Sequence, residues 1–183
     1  MFDDARSKRV VVVAHCLLNQ NAISDGTADL PARFGEVIDR IMAKDVGIIQ
    51  LPCPELACLG LNRGDDGGAG RELLAENSRI RTLMERPRLR ELLREKAREL
   101  ADALEDYRKH GFAVLGLVGV DRSPSCGVGT TSADGREIPG RGVFIEILAE
   151  EMERRGLDLR MIGTKTSRRE ESATRIEAWL GGL

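Results

Sequence analysis

Short β-branched runs alternate along this chain with longer segments whose apolar residues recur at helical spacing. Arg9–Ala14 is valine-rich and predicts a first strand. Leu30–Lys44 places Phe34, Val37, Ile38, Ile41 and Met42 on one helical face, with Pro31 near its start. Gly47–Leu51 predicts a second strand. It is stopped by Pro52-Cys53-Pro54-Glu55, where two prolines around one residue block both strand and helix. Glu72–Met84 reads as helical. Pro87 then opens a long amphipathic helix, with Leu89, Leu92, Leu93, Leu100, Leu104 and Tyr107 inward and Gly111 as its cap. Phe112–Val120 predicts a third strand. Gly142–Arg155 predicts a helix turned inward through Val143, Ile147, Leu148 and Met152, and Leu159–Ile162 a fourth strand. Ser167, with Glu170 at the capping-box position, opens a last helix running to Leu180.

The resulting order is β-α-β-(loop, α)-β-α-β-α. It predicts an α/β fold with an open parallel sheet of about four strands and helices on both faces. One domain spanning residues 1–183 accommodates it, with no repeat or linker. Two stretches stay outside the pattern. Leu59–Gly70, rich in glycine and charge, predicts a mobile lid or a solvated excursion. Thr130–Arg141 is polar, with a turn at Asp134-Gly135.

Composition narrows the function classes. Of the 183 residues, 42% are hydrophobic and 32% charged, as in a folded soluble domain. A net charge of −2 and 3% aromatics offer neither a basic surface nor a stacking platform, so no nucleic-acid or membrane partner is expected. The charged face of the long helix pairs Glu91 with Arg94 and Glu95 with Arg98 and reads as solvated. The N-terminal residues are charged and lack the apolar core of a signal peptide, so the expected location is cytoplasmic. In that compartment four cysteines argue for metal, catalysis or burial rather than disulfides. Oligomeric state is not set by the sequence.

Three of these cysteines follow predicted strands. Cys16 stands in His15-Cys-Leu-Leu-Asn19-Gln-Asn21, Cys53 between its prolines, and Cys126 in Ser123-Pro-Ser125-Cys-Gly127-Val-Gly129. In a parallel sheet the carboxyl ends of strands share one edge, where ligands bind. Each thiol alone fits a small buried apolar residue. Together, just beyond the strands and beside Pro, Gly, Ser and Asn, they suggest a shared site. Thiolates select zinc, copper(I) or iron–sulfur clusters. No C-x-x-C pair favours a closed zinc site. Three thiolates can hold a 4Fe-4S cluster and leave the fourth iron open as a Lewis acid. Cys58 could close such a site, making a redox or sensor module, or simply pack in the core.

The three motifs, in order and spread over roughly residues 10–150, resemble those of the thiouracil desulfidase (TudS-like) family; Gly140-Arg141-Gly142-Val-Phe extends the likeness. The resemblance implies a Rossmann-like fold and a 4Fe-4S cluster on Cys16, Cys53 and Cys126. It also implies desulfidase activity on a small sulfur-containing substrate, removing sulfur from a thiocarbonyl compound as sulfide without net redox change. The Leu-Leu-Asn-Gln-Asn segment departs from the members best known for thiouracil and resembles a related desulfidase branch, which leaves the substrate open. Within that frame Glu55 or Asp121 is the general base, or Glu55 is a surface carboxylate or helix N-terminal charge and Asp121 a turn residue. Ser125 and Ser123 donate to substrate or cluster, or make local turn bonds. Asn19 and Asn21 hold a heterocyclic amide edge, or cap the following loop. Arg141 meets an anionic group at the next helix N-terminus. His15, in a strand, would point away from Cys16 and is read as structural. The alternatives are a non-catalytic iron–sulfur or redox sensor and a zinc-binding domain.

Overall fold

In the computed structural model, which describes residues 4–182, Arg9–Ala14 forms β1, Gly47–Leu51 β2, Ala113–Val120 β3 and Met161–Thr164 β6. They make one sheet in the order β2-β1-β3-β6, and all three pairings are parallel. Ala14 lies opposite Leu51 and Val13 opposite Val118, so the chain leaves β1, β2 and β3 at the same edge. From β1 the chain moves outward to β2 on one side and then crosses back to β3 on the other. The gap between the ends of β1 and β3 is therefore the switch point at which open α/β sheets bind ligands.

Helices cover both faces, as the pattern predicts. Pro87–Lys109 (α5) packs against Val143–Arg154 (α6) on one face, over Val12, Leu51 and Leu117. Gly35–Met42 (α2) packs against Arg169–Gly181 (α7) on the other, over Val11, Val13, Leu115 and Val118. Leu115 and Val118 share a face although three apart. An extra residue in β3 at this point shifts its register against β1. Gly116 sits there at φ +141°, where a Cβ would stand 2.3 Å from the Arg160 carbonyl oxygen.

Several boundaries differ from expectation for identifiable reasons. The helix expected over 30–44 starts only at Gly35, because Phe34 N–H donates to the Leu17 carbonyl and Gln20 N–H to that of Ala32. Those bonds hold residues 30–34 outside the helix, with the chain bent through residues 29–32 and Pro31 ahead of the first turn. Leu92 is exposed; Leu93, Ala97, Leu100, Ala101 and Leu104 form the buried stripe of α5 instead. β6 begins two residues later than expected, where pairing with Leu117–Val120 sets it. Ser167 does not cap α7. It lies in a short 3-10 turn, and Ser172 Oγ takes the Lys165 N–H at 3.0 Å instead. Thr130–Ala133 (β4) and Arg136–Pro139 (β5) make an antiparallel hairpin. Asp134 and Gly135 both have positive φ, the two-residue turn that matches strand twist. Among the described residues no helix is long and apolar enough to cross a membrane.

The start of α6 is packed directly on the loop after β3. A Cβ on Gly142 would stand 2.4 Å from the Ser125 carbonyl carbon and 2.8 Å from Cys126 N. Gly142→Ala should therefore cost about 1–3 kcal/mol in urea unfolding. Gly181→Ala, whose methyl meets nothing within 4 Å, should be neutral or slightly stabilising.

Candidate functional site

The loop after β3 is built around two side chains. Asp121 Oδ1 accepts from the amides of Val128 at 3.3 Å, Gly129 at 2.9 Å and Thr130 at 3.3 Å, folding the loop back on itself. Ser123 Oγ accepts from Ser125 N at 3.3 Å and Cys126 N at 3.0 Å. Gly127 is required, since a Cβ there would fall 2.1 Å from the Thr130 carbonyl oxygen. Together these hold Cys126 at the sheet edge, 6% exposed.

The second thiol is placed by helix capping. Pro54–Leu59 forms a short helix, α3, with Pro54 in its first turn. Cys53 is its N-cap, and its sulfur accepts from Leu56 N at 3.4 Å. The third, Cys16, sits in the single helical turn His15–Leu18 (α1) that follows β1 directly. All three sulfur-bearing residues line one open cleft.

Glu55 enters the same cleft and is 8% exposed. Its Oε1 accepts from Ser125 Oγ at 2.5 Å and its Oε2 from Arg63 Nε at 3.1 Å. Arg63 is itself 1% exposed. Its other nitrogens donate to the carbonyls of Gly60, Leu61 and Ala22, and Nη2 stands 4.0 Å from Cys53 Sγ. The Gly60–Gly70 loop is thus tied to the site through a buried cation, not held off by its charges. A second anchor joins it to Leu73–Met84 (α4), where buried Glu76 binds both Arg71 and Arg79.

These neighbours act on the thiols. Burial, then the charges of Cys53 and Glu55, pushes Cys16 up to about 12. Burial, then Glu55, pushes Cys53 up to about 11, and Cys126 is raised well above 9.0, again by burial first. Without a metal they are neutral thiols at physiological pH.

Of the residues singled out from sequence, Cys16, Cys53, Cys126, Glu55, Asp121, Ser123 and Ser125 line the cleft. Asp121 spends its inward oxygen on three backbone amides, which is the turn role. Asn19, Asn21 and Arg141 stand outside it. Asn19 Oδ1 caps the next turn by accepting from Asn21 N, and both are exposed. Arg141 is exposed, its carbonyl taken by Arg81. His15 lines the cleft, because α1 begins at His15 and ends strand alternation there. Both its ring nitrogens, and Oε1 of Gln20, are buried without a partner. Sequence reasoning missed Arg63, Gln20 and Arg122, whose separation along the chain leaves no spacing signal. Cys58 lies outside the cleft, half-buried against the α5–α6 core.

The donor set suits a soft, multinuclear group. No three His, Cys, Asp or Glu among the described residues are arranged to hold a single metal ion. A cluster makes a different demand, since each thiolate binds its own iron and the sulfurs stand further apart. Three convergent thiols on a cleft wall, with unpartnered polar atoms beside them, fit that group.

No family model matches the chain. An uncharacterized protein of Methanocaldococcus jannaschii is 26% identical over 157 residues, which cover 86% of each chain. Among solved structures, a [4Fe-4S]-dependent thiouracil desulfidase, TudS, aligns over 93% of this chain and 99% of its own, with 19% identity and a TM-score of 0.41.

Two outcomes follow from the buried charges. Arg63→Ala leaves Glu55 buried without its cation and should destabilise the protein by about 3–5 kcal/mol in chemical denaturation. The thiols give a pH dependence of known sign. Below about pH 9 folded and unfolded thiols are both protonated, so their contribution is fully present. Above it the unfolded chain ionises while Cys53 and Cys16 hold their protons to about 11 and about 12. Metal-free protein should therefore lose about 1.4 kcal/mol per pH unit per thiol above pH 9. Cys16→Ala should make that slope shallower, measured by urea unfolding between pH 8 and 10.5.

Proposed function

We propose that this protein is an iron–sulfur-dependent desulfidase that removes sulfur from a thiocarbonyl compound as sulfide. The observation that carries the reading is the convergence of Cys16, Cys53 and Cys126 on one cleft wall, beside a buried Glu55–Ser125 hydrogen bond. Motif resemblance supports the same activity. Cys16, Cys53 and Cys126 would hold a 4Fe-4S cluster. When bound, that group supplies an open iron, a Lewis acid for the thiocarbonyl sulfur.

The chain's own residues account for the proton chemistry. The overall reaction takes a thiocarbonyl and water to a carbonyl and hydrogen sulfide, so a water proton must be moved and no electrons are exchanged. Ser125 Oγ donates to Glu55, leaving its lone pairs free to accept from a water in the cleft. Glu55 draws the proton through Ser125 and returns it to the departing sulfur. Arg63 fixes the carboxylate so that one oxygen faces Ser125. Asp121 shapes the loop that carries Ser125 and is not needed as base. Because Cys58 lies outside the cleft, a fourth cysteine ligand closing the site for sensing or electron transfer is the weaker reading.

Anaerobic reconstitution should give a brown protein that releases sulfide from a thioamide or thiouracil. Cys16→Ala, Cys53→Ala and Cys126→Ala should each lose the cluster, read by iron and sulfide content and the visible spectrum, while Cys58→Ala keeps it. Ser125→Ala should keep the cluster and lower kcat about 10²-fold. An intact cluster with no sulfide from a broad thiocarbonyl panel would sink the desulfidase reading in favour of a sensor.

A further inference from the structure

The charge network on Glu55 continues into α4, where Glu76 and Arg79 stand one helical turn apart. Glu76 is 1% exposed, and Arg79 grips it with two bonds. Nε donates to Oε2 at 2.9 Å and Nη2 to Oε1 at 2.5 Å. Arg71 donates to the same Oε2 at 3.0 Å and to Asp65 of the glycine-rich loop at 2.6 Å. A Cβ on Gly68 would stand 2.9 Å from Glu76 Oε1, so the loop backbone closes down on the carboxylate. These contacts alone would make Glu76 a staple for the loop. One bond goes further: Arg79 Nη2 also donates to the carbonyl of Arg63 at 3.1 Å.

The backbone of Arg63 needs such a hold. Its φ is +53°, a left-handed conformation that a residue with a Cβ keeps only where its surroundings enforce it. Its amide donates to the Gly60 carbonyl at 3.3 Å, and among the described residues Arg79 is the sole partner of its carbonyl. The guanidinium is fully engaged, with Nε on Glu55, Nη1 on the Gly60 and Leu61 carbonyls, and Nη2 on Ala22 and near the Cys53 sulfur. A side chain so fixed moves only with its backbone. Glu76, Arg79, the Arg63 carbonyl, its guanidinium, Glu55 and Ser125 therefore form one line of hydrogen bonds from α4 into the cleft.

We propose that Glu76 and Arg79 are positioning residues for the proton step: by holding the Arg63 carbonyl they fix its guanidinium against Glu55, and so the carboxylate against Ser125. The proposal rests on the desulfidase reading for the chemistry that Glu55 performs, and on the geometry alone for the line itself. A group misplaced by about 1 Å at a reacting centre costs about 10²-fold in rate. Positioning and stapling differ in one respect. Arg71 and Arg79 both bind Glu76, but only Arg79 touches Arg63.

The test compares Arg79→Met with Arg71→Met. In isotope-labelled metal-free protein, exchange of the Arg63 Nε–H proton with water is followed by NMR, the signal being assigned by its loss in Arg63→Lys. Arg79→Met should speed that exchange at least about tenfold, Arg79→Lys should recover part of the protection, and Arg71→Met should stay within about twofold of the parent. In reconstituted protein, Arg79→Met should lower kcat for sulfide release about tenfold with KM and iron content unchanged. On a Ser125→Ala background it should lower kcat no further, because the line it supports is already cut. Unchanged exchange in Arg79→Met, equal acceleration in both variants, or a kcat loss that persists in full on Ser125→Ala overturns the proposal. If Arg79→Met does not fold, Arg79→Lys serves in its place. It keeps a charge on Glu76 but lacks the planar fork that serves Glu76 and Arg63 at once. A protein that releases no sulfide yet shows Arg79-dependent protection of Arg63 would leave the positioning line standing and the desulfidase reading failed.

Discussion

The buried carboxylate of Glu55 is the constraint that the cleft is arranged to satisfy. An ionised carboxylate taken out of water costs several kcal/mol unless its oxygens are paired and hydrogen-bonded. Here one oxygen takes the Arg63 guanidinium and the other the Ser125 hydroxyl. Burying Arg63 in turn requires acceptors for its remaining N–H groups, and these are the carbonyls of Ala22, Gly60 and Leu61. One charge thus stitches together α3, the glycine-rich loop, the turn after α1 and the loop carrying Cys126. Each of these segments but the glycine loop holds a cysteine of the site or stands next to one. The relative placement of the three thiols depends on that pair.

The same arrangement makes the thiols poor acids. They are buried, close to one another and close to a carboxylate, and all three effects favour the neutral form. Arg63 works in the opposite direction on Cys16 and Cys53 but does not outweigh burial. A metal centre that requires thiolates must then displace protons as it binds. The folded chain holds the three thiols in their neutral form, and they would turn anionic only on binding such a centre.

Much of this was legible in the residues. β1 and β2 were readable to the residue, because valine and isoleucine runs ended by polar or proline residues admit few alternatives. The placement of three thiols at strand ends followed from the parallel order alone. The hairpin of β4 and β5 was not legible as strands, since Thr-Thr-Ser-Ala and Arg-Glu-Ile-Pro lack an apolar alternation; only its Asp134-Gly135 turn was. The inward anchor of the glycine-rich loop was hidden for a reason of the same kind. Glycine and charge suggest solvation, and nothing local shows that Arg63 finds a carboxylate eight residues away.

What the sequence determined by itself is the chemistry on offer and the edge at which it gathers. β-branched runs, helical stripes and proline stops are local signals, and a parallel sheet turns them into a common rim for Cys16, Cys53 and Cys126. What only the tertiary structure decided is which polar side chains face that rim and which are already spent. Asp121 is consumed by its own loop, Asn19 and Arg141 turn outward, and Arg63, Gln20 and Arg122 turn in. Those outcomes depend on hydrogen bonds between residues tens of positions apart. A single chain read in order carries no trace of such bonds, because burial and partner choice are properties of the packed whole.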